Sequence, residues 1–111
     1  MKRQKHIKAI KQDDIKNMLL SYDGSDFVKQ TSIDLLKHFI DNEIELPDIS
    51  PSSDNSIIFE FSDESLHYAI EIFSSGLISY FANKNGNDEF HNFKRLEDIK
   101  AKLLQDIETP L

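Results

Sequence analysis

Apolar residues near the start of the chain recur at the spacing of an amphipathic helix. The set that follows the i, i+3, i+4, i+7 rule consists of Ile15, Met18, Leu19 and Tyr22. It predicts a first helix that Asp13 can cap, since an aspartate side chain accepts hydrogen bonds from the first free N–H groups. Ile7 and Ile10 fit the same pattern, so the helix can extend towards the N-terminus. The alternative is that residues 1–12 form a flexible basic arm.

Two further helices follow from the same periodicity. A helix that starts near Ser25 or Asp26 and ends at about Asn42 has a stripe made of Val28, Leu35, Leu36 and Phe39. A last helix runs from about Leu96 to Ile107, and its stripe is Leu96, Ile99, Leu103 and Ile107. Both stripes are typical of helices that pack on a core.

Between these helices the polar and apolar residues alternate, which predicts strands. Residues 56–62 and 65–73 form a hairpin if Asp63 and Glu64 make its turn, and a three-residue loop ending in Gly76 leads to a third strand. Asn85-Gly86 is a hairpin signal for a short fourth strand at about 88–93. Its register stays open, because one extra loop residue would exchange its two faces.

The predicted order gives an α+β fold. We expect two N-terminal helices, a three- to four-stranded antiparallel β-meander and one C-terminal helix, with the helices packed on one face of the sheet. Residues 46–55, which contain Pro47 and Pro51, are predicted to be a loop between the helical half and the sheet half. At 111 residues the chain has the length of a single domain, residues 1–111.

Charge is unevenly distributed along the chain. It carries 13 basic and 20 acidic side chains, a formal net charge of −7. No lysine or arginine occurs between Lys37 and Lys84, a stretch that holds nine carboxylates. A solvated acidic face is the simplest interpretation, and a surface for a basic protein partner is the more specific one. The same charge makes nucleic acid a poor main ligand, although residues 1–20 are rich in lysine.

Several kinds of site are not supported by the sequence. There is no cysteine, the four histidines have no metal-ligand spacing, and the three glycines form no phosphate-binding loop, so neither a metal nor a cofactor is predicted. No apolar run is long enough to span a membrane, and no secretory signal is present. We therefore expect a cytoplasmic protein.

The face of the sheet away from the predicted core carries both acidic and apolar side chains. The candidate partner-binding residues there and at the adjoining turn are Glu60, His67, Glu71, Phe73, Leu77, Phe81, Asp63 and Glu64. Apolar anchors within a charged rim are typical of protein–protein sites. The alternative is that the N-terminal helix covers this face and makes a three-layer domain.

Glu60 and His67 are the one pair that could do chemistry. A carboxylate beside an imidazole can fix its tautomer and raise its pKa, as a general base requires. Ordinary cross-strand pairing explains the same two residues, so no catalytic residue is predicted and the chain is expected not to be an enzyme.

A local pattern adds a resemblance. Leu46-Pro47-Asp48-Ile49-Ser50-Pro51, the strand ending Glu60-Phe61, and Ile70-Glu71-Ile72 followed by Gly76 and Tyr80 resemble small acidic bacterial immunity proteins of contact-dependent and other polymorphic toxin systems. The resemblance covers about residues 46–82, with Asn55 and Phe61 where those proteins usually have Gly and Trp. It implies a bacterial protein that neutralises a toxin, and it brings no catalytic residues.

Two functions follow as hypotheses. The first is a non-enzymatic acidic protein that occludes the active site of a basic toxin domain, a nuclease being the expected kind. The second is a structural or regulatory module that forms a homodimer through the mixed sheet face or an edge strand, with no toxin partner.

Overall fold

The computed structural model describes the backbone of residues 2–52 and 54–108 and the side chains of residues 12–52 and 54–107. The elements are α1 (Lys2–Ser21), α2 (Asp26–Asp41), β1 (Asp48–Pro51), β2 (Ile57–Ser62), β3 (Leu66–Ile72), β4 (Ile78–Lys84), β5 (Asn87–Phe93) and α3 (Leu96–Glu108). The α+β class is confirmed, but the antiparallel sheet of the described chain has five strands rather than three or four.

The additional strand is β1, within residues 46–55, and the prediction that this segment is only a loop was wrong. The strands follow one another in the order β1-β2-β3-β4-β5, so β1 is an edge strand. Ile49 pairs with Phe59, and Pro51 pairs with Ile57 at the end of the strand. A proline is tolerated there because an edge strand needs hydrogen-bond donors on one side only.

The hairpin of β2 and β3 has a different register from the predicted one. Ser62 pairs with His67 rather than lying opposite Ser65, and Glu60 pairs with Ala69 rather than with His67. The backbone N–H of Asp63 donates to the carbonyl of Leu66 at 2.9 Å, so the loop is formed by residues 64 and 65 instead of 63 and 64. This shift moves every pair by two residues and therefore leaves each side chain on its predicted face.

The other two hairpins agree with the sequence. Ile72 pairs with Ile78 across a loop in which Gly76 has φ +96°, a conformation that glycine adopts without a steric penalty. Lys84 pairs with Asn87, and both loop residues between them have positive φ, as a type I′ turn requires. This two-residue loop settles the open register of the fourth predicted strand.

The helices lie close to their predicted positions. Helix α2 begins after Ser25, whose hydroxyl accepts the N–H of Val28 at 3.4 Å, and α3 begins at Leu96. Helix α1 already begins at Lys2, so Asp13 lies inside the helix and is not its cap. The flexible arm at residues 1–12 stays a prediction, because the side chains of residues 1–11 lie outside the described ones.

The core lies between the helices and one face of the sheet. Helices α2 and α3 pack directly on the strands, whereas α1 packs against α2 and reaches the same core through Ile15 and Leu19. Phe39 of α2 stacks over Phe59 and Tyr68, with ring centroids 6.1 and 6.4 Å apart. The aromatic rings of α2, β2 and β3 thus join the helical layer to the sheet.

Candidate functional site

One face of the sheet is open. Its strand residues, taken from the cross-strand pairs, are Asp48, Ser50, Ile58, Glu60, Ser62, His67, Ala69, Glu71, Ser79, Phe81, Asn83, Asp88, Phe90 and Asn92. Each of these residues of the open face is half-buried or exposed, and none is a lysine or arginine. Helix α1 packs on α2 instead. Among the described residues no N-terminal helix covers this face, so the three-layer alternative was wrong.

Aromatic rings form the apolar centre of the open face. The rings of Phe81 and Phe90 are 4.8 Å apart between centroids, and the imidazole of His67 contacts Phe81 edge-on at 5.7 Å. Phe90 is 76% exposed, an unusual position for a large apolar side chain. The sequence did not single out Phe90, since it joins this face only if the Asn85-Gly86 loop has two residues.

Carboxylates share the open face with these rings. The Nε2 atom of His67 lies 3.6 Å from Oε2 of Glu60, which is a diagonal neighbour across β2 and β3. Glu71 accepts a 2.6 Å hydrogen bond from the Ser56 hydroxyl, which fixes the orientation of its carboxylate. The histidine–carboxylate pair lies on an exposed sheet surface rather than inside a cleft, an arrangement that suits recognition of a partner.

Phe73 and Leu77 lie at the other end of the same face. Both are half-buried beside the turn between β3 and β4, where the N–H of Phe73 donates to the carbonyl of Leu77 at 2.9 Å. Six residues separate His67 from Phe73, which corresponds to about 20 Å along a strand. The structure therefore divides the predicted apolar anchors into two groups, and only Phe81 lies beside the histidine.

Asp63 and Glu64 lie at the turn between β2 and β3. The Oδ1 atom of Asp63 accepts the backbone N–H groups of Ser65 and Leu66, each at 2.8 Å. These hydrogen bonds lower the pKa of Asp63, because they favour its charged form. Asp63 thus holds the turn in place, while Glu64 is exposed at its tip.

A polar network on the core side of the sheet was missed by the sequence analysis. Asp106 is buried on α3, where its Oδ2 atom accepts the Tyr80 hydroxyl at 2.6 Å and its Oδ1 atom lies 3.1 Å from Lys102 Nζ. Lys102 also reaches Glu89 at 3.0 Å. Partial burial opposes the charge of Lys102, but the hydrogen bonds to the two carboxylates outweigh it and raise its pKa. Burial and the bond to Asp106 raise the pKa of Tyr80, which stays a neutral donor.

We expect the Asp106→Ala variant to lower the free energy of unfolding by about 1–3 kcal/mol, because it leaves the buried Tyr80 hydroxyl without an acceptor. Urea denaturation of this variant, of Tyr80→Phe and of the double variant measures the coupling between the two side chains. We expect Tyr80→Phe to lower the free energy of unfolding less in the Asp106→Ala background than in the wild-type chain. Strictly additive losses would show that the hydrogen bond adds nothing to stability.

Within residues 12–52 and 54–107, no group of three or more histidine or carboxylate side chains is close enough to hold a metal ion. No helix among the described residues has both the length and the apolar character needed to cross a bilayer. Comparisons of the chain with protein-family models, with curated proteins and with solved structures found no match.

Proposed function

We propose that this chain is a non-enzymatic acidic binding protein that neutralises a basic toxin domain in the cytoplasm of a bacterial cell. The observation that carries the proposal is the open face, which combines the exposed Phe90 and the half-buried Phe81 with carboxylates and has no lysine or arginine among its strand residues. The resemblance of residues 46–82 to immunity proteins favours a toxin as the partner.

The charge of the open face favours a basic occupant. Asp48, Glu60, Glu71 and Asp88 belong to four different strands, so the negative charge extends across the whole width of the face. A positively charged cleft, such as the active site of a nuclease, complements this distribution. Complementary charge speeds the encounter of the two proteins more than it tightens the final complex.

The aromatic centre supplies the affinity. Phe81 and Phe90 offer rigid apolar area that a partner can cover, and large side chains near the centre of an interface contribute most of the binding energy. Because these rings share the face with carboxylates, the carboxylates can occupy a cationic cleft of the partner while the rings pack against the side of that cleft. Inhibition by this mechanism is occlusion of the active site and involves no reaction.

A homodimer through the open face is the alternative, and the charges oppose it. A two-fold axis would place the same patch on both sides of the interface, so carboxylates would face carboxylates. Light scattering at micromolar concentration separates the two hypotheses. We expect a monomer, whereas a stable dimer that buries Phe90 would refute the proposed function.

The direct experiment uses the product of the adjacent open reading frame, expressed in cells with and without this chain. We expect this chain to protect the cells and the two purified proteins to form a stoichiometric complex. Failure to protect, together with failure to form the complex, would contradict the proposal. His67→Ala tests an enzymatic alternative in the same cells, because a catalytic histidine could not be removed without loss of function.

A further inference from the structure

A cavity of about 250 Å³ opens on the other side of the sheet, at the end where β2 and β3 are joined. Its apolar walls are Ile44, Phe61, Leu66 and Ile107, which come from the segment after α2, from β2 and β3, and from α3. Sites for drug-sized ligands measure about 300–1,000 Å³, so this cavity suits a group the size of one side chain.

The polar lining is predominantly acidic. Glu45, Asp63 and Asp106 contribute carboxylates, and Lys84 contributes an ammonium group. Asp63 and Asp106 already accept hydrogen bonds within the protein, whereas the side chain of Glu45 is exposed at the cavity. Lys102 pairs with Asp106, so the carboxylates of Glu45 and Asp63 remain against the ammonium group of Lys84. This excess of one negative charge favours a cationic occupant.

The hydroxyl of Tyr68 provides the independent indication of a ligand. Tyr68 lines the cavity, is 1% exposed, and its hydroxyl has no hydrogen-bond partner among the described residues. Buried polar groups are nearly always hydrogen-bonded, so an unpartnered hydroxyl beside a cavity needs an explanation. Burial, and then the charge of Glu45, raise the pKa of Tyr68, so the hydroxyl is neutral and its oxygen can accept a donor.

We propose that this cavity binds an alkylguanidinium or alkylammonium group, with its N–H groups donating to Tyr68 and Glu45 and its apolar stem packed on Phe61 and Ile107. The same chemistry is available from a free small cation and from an arginine or lysine side chain of another protein. The site lies on the helix-covered side of the sheet and does not depend on the partner proposed for the open face.

The test is a titration of the ¹⁵N-labelled protein with n-butylguanidinium, followed by NMR shifts of the amides around the cavity. We expect saturable shifts with a Kd on the order of 1 mM, as for a weakly bound fragment. Glu45→Gln should weaken binding about five-fold, and Tyr68→Phe should also weaken it. Tyr68→Phe removes a hydroxyl that has no hydrogen-bond partner among the described residues, so the fold should be retained. Glu97→Gln on the exposed start of α3 is the matched control and should have no effect.

The Lys84→Gln variant tests whether the cavity binds a cation or an anion. Removal of this ammonium group should tighten n-butylguanidinium binding about three-fold, because a like charge at the cavity is lost. Binding of n-butanesulfonate that depends on Lys84, or the absence of saturable shifts with n-butylguanidinium, would overturn the proposal. The peptide acetyl-Gly-Arg-Gly-amide identifies the source: equal binding indicates a protein side chain, and exclusion of the peptide indicates a free cation. A negative result here leaves the open-face proposal untouched.

Discussion

The Phe90→Lys variant is expected to bind the basic partner about 100-fold more weakly than the wild-type chain. The change removes an exposed ring that packs at a tilt against Phe81 and places a cation in the acidic open face, opposite a basic surface. Loss of a central aromatic anchor typically costs about 2–4 kcal/mol of binding energy, which corresponds to about 30- to 700-fold in Kd and brackets this factor. Calorimetric titration of the two purified proteins measures the change in Kd.

The matched control is Leu20→Lys. Leu20 is also a largely exposed apolar residue, at 65%, but it lies on α1 and outside the open face. The substitution makes the same change in charge and removes a comparable exposed side chain, so we expect an unchanged Kd. Equal weakening by both variants would show that net charge, and not the open face, determines binding.

The Phe39→Ala variant is expected to lose about 3–5 kcal/mol of unfolding free energy. Phe39 is fully buried and connects α2 to Phe59 and Tyr68 of the sheet, so its removal leaves a cavity between the two layers. A loss of this size is a large part of the stability of a small domain. Urea unfolding, with the midpoint and slope fitted together, measures it.

Phe27→Ala is the control, because it makes the same phenylalanine-to-alanine change on the same helix and so includes the same change in helix propensity. Phe27 is 38% exposed and lies outside the core, so we expect a loss of about 1 kcal/mol or less. Comparable losses for the two variants would contradict the assignment of Phe39 to the junction of the helical layer and the sheet.

The faces of the strands were predictable from the sequence, although the pairing of β2 with β3 was not. Alternation placed Phe59 and Tyr68 on the core side and Glu60 and His67 on the other side, and the two-residue shift in pairing leaves these faces unchanged. The loop position depends on the hydrogen bonds that the Asp63 carboxylate accepts, and a local side-chain geometry of this kind is not encoded in periodicity.

Two other differences have separate physical causes. Strand β1 was missed because its prolines favour a loop. At the edge of a sheet, however, a strand forms backbone hydrogen bonds on one side only, so Pro51 is tolerated there. The network around Asp106 was missed because an aspartate on a helix is normally assigned to solvent. A signal was present, since Asp106 falls within the apolar stripe at i+7 from Ile99 and i+3 from Leu103.

The carboxylates of the open face are expected to attract a basic partner. The most direct test of this attraction is the association rate constant, measured by stopped flow from low ionic strength to about 0.15 M salt, where the Debye length is about 8 Å. We expect the wild-type rate to be about 10-fold or more higher at low salt, and Glu60→Gln with Glu71→Gln to reduce both the rate and its salt dependence. Glu97→Gln with Asp98→Asn on α3 makes the same change in net charge and should reduce them less. An association rate that does not change with salt would contradict the account, even if the complex still formed.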